Sequence, residues 1–116
     1  MYDKNKGYEY ERIAKLYLIN RGFEIIEENF ICRLGEIDII ASKNNILHFI
    51  EVKGRLNTNY GFPREAVTKP KQRRIISAAR YYFMLNGNDD CLCQFDVLEI
   101  ISEDREINFI EDAFQV

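Results

Sequence analysis

The spacing of apolar positions changes along the chain, and each change marks an element. Between residues 3 and 21, Tyr10, Ile13, Ala14, Tyr17 and Leu18 recur at the three-and-four spacing of one helix face, and Gly22 follows as a C-terminal cap. Residues 23 to 32, 36 to 43 and 46 to 53 are rich in Ile, Phe and Val and are punctuated at Asn29, Gly35 and Asn44-Asn45, which predicts three strands. The stretch GRLNTNYGFPRE has no periodicity and the Gly and Asn content of a loop. A second helix is expected from near Pro63 or Pro70 to about Leu85, with Ile75, Ile76, Ala79, Tyr82 and Phe83 on one stripe, ended by NGNDD. QFDVLEII and REINFI then supply a fourth strand and a short fifth.

The order helix, three strands, helix, two strands predicts an α/β domain with a central mixed sheet flanked by helices. The connection from residue 43 to 46 is too short for a crossover, so the second and third strands must run antiparallel. With 116 residues, 47% of them hydrophobic, and no repeat, low-complexity run or linker, the chain fits one domain spanning residues 1 to 116. No stretch resembles a cleavable signal, and no apolar run nears the roughly 20 residues of a membrane span, so a soluble cytoplasmic protein with no membrane partner is expected. Cys32, Cys91 and Cys93 lack a zinc-ligand spacing; buried, reduced thiols are the expectation.

A net charge of −3 argues mildly against nucleic-acid binding, but the charges are segregated. Residues 53 to 80 hold eight Lys and Arg against Glu65 alone, whereas residues 89 to 116 hold nine acids against Arg105 alone. The molecule is therefore polarised, with a basic segment suited to phosphates.

Candidate chemistry lies in the central hairpin, GEIDIIASKNNILHFIEVKGR. A two-residue turn at Asn44-Asn45 sets Lys43 opposite Ile46 and, by regular extension, Ile40 opposite Phe49, Asp38 opposite Glu51 and Glu36 opposite Lys53, all on one face. Two carboxylates so placed have Cβ atoms about 5 Å apart and repel unless a cation or proton lies between them. Mg²⁺ and similar hard ions prefer such oxygens, and Lys53 would point its ammonium at a phosphate held there. The plainer alternative pairs Glu36 with Lys53 and leaves Asp38 to solvent. Glu11 on the first helix and Gln72 at the start of the second fall in phase with their apolar stripes, consistent with a site assembled from several elements or with the polar edges of those stripes. His48 alternates to the face opposite Glu51 and is expected to be a packing residue.

Taken together, GYEYERIAKLYL, ENFICRLGEIDIIA, FIEVKGR, FPREAVTKPKQRRIISAARYY, QFDVLEI and the closing DAF resemble the YraN-like family of uncharacterised bacterial proteins, within the PD-(D/E)xK nuclease superfamily. The resemblance covers nearly the whole chain and implies a restriction-endonuclease-like fold. It implies that Asp38, Glu51 and Lys53 match the superfamily's Asp, Glu and Lys, and that Glu11 matches the first-helix glutamate of Holliday-junction resolvases. Ile37 stands in place of the superfamily's Pro, Ile31 and Leu34 where relatives often carry Arg and Gly, and Gln94 where an Arg commonly precedes Phe-Asp. Gln72 fits a Gln-x-x-x-Tyr motif of RecB-type nucleases, except that Ile76 replaces the Tyr.

The expected activity is metal-dependent hydrolysis of DNA phosphodiester bonds, on branched or recombination intermediates. Mg²⁺ or Mn²⁺ would be held by Asp38, Glu51, the Val52 carbonyl and Glu11. Lys53 and Gln72 complete the catalytic set, and Glu36 supports it. Arg55, Arg64, Lys69, Lys71, Arg73 and Arg74 would track the DNA backbone, while Tyr60 and Phe62 would pin the basic loop or stack on a base. A homodimer suits a junction-cutting role. A nucleic-acid-binding module without catalysis, and a protein-interaction domain using its two charged ends, are the alternatives.

Overall fold

The computed structural model describes residues 4–57, 67–87 and 91–116. Helix α1 (Lys4–Asn20) is followed by strands β1 (Glu24–Cys32), β2 (Gly35–Lys43) and β3 (Ile46–Arg55), helix α2 (Lys69–Asn86), and strands β4 (Leu92–Ile101) and β5 (Glu106–Phe114). One sheet contains all five strands in sequence order. Only β3 and β4 pair in parallel, so the sheet is mixed as expected, and α2 supplies the crossover between them.

Alternation along β3 divides the core. Leu47 and Phe49 pack with Ile75, Ala78, Ala79 and Tyr82 of α2, whereas Ile50 packs with Ala14 and Leu18 of α1. Each helix thus covers one sheet face with the stripe its sequence periodicity marks. Gly54 lets α1 approach closely, because a Cβ there would come within 2.1 Å of the Tyr10 ring. Thr68 caps α2 by accepting from the Lys71 N–H, and Pro70 occupies the first turn, so the helix starts at the later of its two predicted prolines. Pro63, Tyr60, Phe62 and Arg64 lie outside the described residues.

Asn44 and Asn45 adopt φ of 54° and 64°, the left-handed pair that a type I′ hairpin requires. The predicted register then holds from Lys43↔Ile46 to Ile39↔Ile50. There the ladder stops, so Asp38 with Glu51 and Glu36 with Lys53 are not the cross-strand pairs that regular extension implies. On β1 the register shift lies between Ile25 and Glu27, while Asn29, with φ 53°, sits between the pairs Glu28↔Ile39 and Phe30↔Ile37. At that point the alternation of β2 slips, with Ile37 packing on the α2 side and Ile39 on the α1 side, although period two would place both on one face.

The fifth strand extends beyond the predicted REINFI. A register shift between Phe95 and Val97 lets β5 continue through Asp112, whose N–H donates to Asp96 Oδ1 at 2.9 Å. The thiols also differ from expectation: Cys93 is exposed, and Cys32 and Cys91 are half-buried against the rim of the core that α2 covers.

Candidate active site at the parting of β2 and β3

Where β2 and β3 separate, the Val52 N–H donates to Asp38 Oδ2 at 2.8 Å. A carboxylate thus takes the place of a strand carbonyl in the gap between two central strands. Glu51, one residue earlier on β3, is 5% exposed. Burying its charge is costly unless cations accompany it. Lys71 supplies one, with Nζ 3.1 Å from Glu51 Oε1, and Lys53 places Nζ 3.9 Å from the same oxygen.

The electrostatics follow from this crowding. Burial, then the negative charge of Glu51, push the Asp38 carboxyl up from 3.8 to about 7, against the opposing Val52 hydrogen bond; Glu11 adds to the upward push and Lys71 opposes it. Burial and the neighbouring Lys71 charge lower the proton affinity of Lys53. Burial also works against the Lys71 charge, but Glu51 and Asp38 outweigh it and the net shift is upward. Two lysines of one type are thereby differentiated: Lys71 is held as a cation, and Lys53 is made the more willing proton donor.

The predicted set is therefore only partly gathered. Asp38, Glu51, Lys53 and Glu11 share one electrostatic neighbourhood, and Glu11 and Asp38 line a cleft of about 390 Å³ between α1 and the β1–β2 hairpin. Gln72 is engaged elsewhere, donating through Nε2 to the Val67 carbonyl at 3.0 Å and so fastening the start of α2. Glu36 is exposed along that cleft and makes no ion pair with Lys53 among the described residues. Lys71, grouped by sequence with the backbone-tracking cations, instead belongs to the carboxylate cluster. Only the helix geometry reveals this, since the first two turns of α2 carry Lys69, Lys71, Arg73 and Arg74 in close succession. Of those, Lys69, Arg73 and Arg74 are exposed, and Arg55 is half-buried at the end of β3.

A second polar network lies farther along β3 and β4. His48 Nδ1 and Asp96 Oδ2 are 2.6 Å apart, Gln94 Nε2 donates to Asp96 Oδ1 at 2.9 Å, and His48 and Asp96 are both buried. Phe23 meets the His48 ring edge to face. His48 is thus a packing residue, as its position in the alternation implies, and Gln94 fills an internal polar contact with Asp96.

Among the described residues, no three His, Cys, Asp or Glu side chains converge as a metal shell. Mg²⁺ takes one or two carboxylates and keeps several waters. Asp38 and Glu51, close enough for their charges to interact, are oxygen donors of that type.

The family model for the uncharacterised protein family UPF0102 matches residues 10–100. The chain is 45% identical over 119 residues to a UPF0102 protein of Clostridium perfringens strain 13, covering 99% of this chain and 98% of the relative. A UPF0102 protein of Lachnoclostridium phytofermentans is 45% identical over 115 residues, covering 98% and 96%, and one of Clostridioides difficile is 40% identical over 114 residues, covering 98% and 100%. Matched along nearly its whole length, the chain belongs to the uncharacterised protein family UPF0102.

Proposed function

We propose that the protein is a metal-dependent endonuclease that hydrolyses DNA phosphodiester bonds, with branched or recombination intermediates as its substrates. The observation that carries this reading is the meeting of Asp38 and Glu51 at the parting of β2 and β3, with Lys53 and Lys71 at hand. A buried acidic pair retained beside two lysines is expensive to maintain and is well suited to a dication and a phosphate.

Asp38, Glu51 and the Val52 carbonyl would hold Mg²⁺ or Mn²⁺, with Glu11 close enough to strengthen the negative field. When bound, such an ion polarises a phosphoryl oxygen and lowers the pKa of water. Lys53, with its lowered proton affinity, orients the attacking water or donates to the developing charge on phosphorus. Lys71 balances Glu51 and keeps the cluster folded. Lys69, Arg73 and Arg74 hold the backbone flanking the scissile phosphate.

The test is cleavage of labelled linear, single-stranded, flap and four-way-junction DNA in Mg²⁺ and Mn²⁺, beside Glu51→Gln and Lys53→Ala. Metal-dependent cutting should fall by about 1,000-fold or more in each variant with folding retained. Wild-type protein that binds DNA but cuts nothing with either metal would leave a non-catalytic binding module. The Lys71–Glu51 pair, which neutralises the site internally, is the feature that would favour that second reading.

A further inference from the structure

The hairpins on either side of β2 are closed by different chemistry. The β2–β3 turn uses Asn44 and Asn45, both at positive φ. The β1–β2 turn, between the paired Cys32 and Gly35, consists of Arg33 and Leu34, and neither has positive φ. Two-residue hairpins favour Asn or Gly in left-handed conformations because their twist matches the strands. Arg-Leu at such a tip serves no need of the turn.

The tip is also apolar where water would favour polar groups. Ile31 is 71% exposed and Leu34 is 48% exposed. Ile31 borders two clefts: one of about 390 Å³ containing Glu11 and Asp38, the other of about 330 Å³ containing Lys71 and Arg74, the latter also bordered by Arg33 and Leu34. The exposed aliphatic pair therefore stands between the carboxylates and the basic start of α2.

The tip is held firmly. At Gly35 a Cβ would lie 2.5 Å from the Arg74 carbonyl oxygen, so the hairpin base presses directly on the α2 backbone. A hairpin with an aliphatic end, Arg33 and Arg74 beside it and a single carboxylate, Glu36, across from Ile31 matches the apolar wedges that proteins insert between base steps, where a few kcal/mol of unstacking is offset by contacts along the bent duplex.

We infer that the β1–β2 hairpin is a wedge, placing Leu34 and Ile31 in an opened base step at a branch or distortion while Arg33 and Arg74 hold the adjoining phosphates. This rests on the nuclease reading above and deepens it, because it makes selection for branched DNA a property of the hairpin and not of the carboxylate cluster. Pairing is least costly to open at a branch, so a wedge discriminates in favour of such DNA.

The experiment uses a four-way junction and a linear duplex of the same sequence, each with 2-aminopurine at the branch position, in metal-free buffer. Wild-type protein is compared with the double variant Ile31→Thr with Leu34→Asn, residues that suit a strand and a turn respectively; circular dichroism and sedimentation accompany both. Wild type should raise junction fluorescence about 3-fold or more, as unstacking requires, and the variant should lose that rise and the preference for the junction while binding linear duplex as before. DNA binding by wild type without any fluorescence rise, or a rise that persists in the variant, overturns the wedge and leaves the nuclease reading standing. Failure of wild type to bind DNA of any shape removes both. A variant altered only in sedimentation would assign the aliphatic tip to contact between copies of the chain and would also overturn the wedge.

Discussion

Asp38 is the residue at which charge, burial and strand geometry conflict most. Its carboxyl is pushed up to about 7, first by burial and then by Glu51, so the folded protein retains a proton that the unfolded chain releases near 3.8. A group with a raised carboxyl pKa weakens the fold as pH rises through that interval: the penalty is absent below about pH 4 and complete above about pH 7. Asn at this position can still accept from the Val52 N–H but carries no charge. Asp38→Asn should therefore flatten the decline between pH 5 and pH 8 and stabilise the metal-free protein by about 2 kcal/mol at pH 8. Urea denaturation of both proteins at the two pH values measures this, and equal declines would refute the assignment. The sequence brought Asp38 and Glu51 together through a cross-strand pairing that the structure ends short of them, at Ile39↔Ile50, although their charges still interact where the strands part. It concealed the role of Lys71, because nothing in KPKQRR distinguishes the lysine that reaches a buried carboxylate from those facing solvent.

At the scale of elements, the sheet is joined by more than its ladders. Asp96, fully buried on β4, receives Gln94 Nε2 and the Asp112 N–H on Oδ1, while Oδ2 lies 2.6 Å from His48 Nδ1 on β3. One carboxylate thereby ties three strands together and accommodates the register shift that lets β5 continue. Asp96→Ala leaves those partners without an acceptor in a buried setting, and should cost about 2–4 kcal/mol, read as a lower denaturation midpoint. A loss under about 0.5 kcal/mol would mean that solvent satisfies the same groups. Periodicity identified both helices and all five strands, since every apolar stripe has a sheet face to cover. Three places depart from it: the register shift between Ile25 and Glu27, the slip of β2 between Ile37 and Ile39 beside Asn29, and the extension of β5 past Asp112, which has φ 54°. At the last two a residue with positive φ lies in the strand, and hydropathy carries no mark of that conformation.

Charge polarity belongs to the whole molecule. The basic start of α2 lies near the carboxylate cluster, while the acidic chain end supplies β5, the edge strand farthest from β1, and β4 beside it. A duplex approaching this molecule is attracted to one side and repelled by the other, which orients the encounter before any contact forms. Lys53 and Lys71 are engaged with Glu51, so they contribute less to counterion release than the exposed Lys69, Arg73 and Arg74. If about four phosphates are neutralised, the logarithm of DNA affinity should fall with the logarithm of salt concentration at a slope of about −4. Replacing Lys69, Arg73 and Arg74 with Ala should bring that slope to about −1 and weaken binding to linear and branched DNA alike, because phosphate contacts position without reading structure. Anisotropy titrations between 50 and 300 mM salt decide the matter. A slope unchanged in the triple variant would place the duplex elsewhere on the surface. Salt-sensitive self-association with no DNA affinity would instead join the two charged ends of neighbouring molecules, and the polarity would then serve assembly.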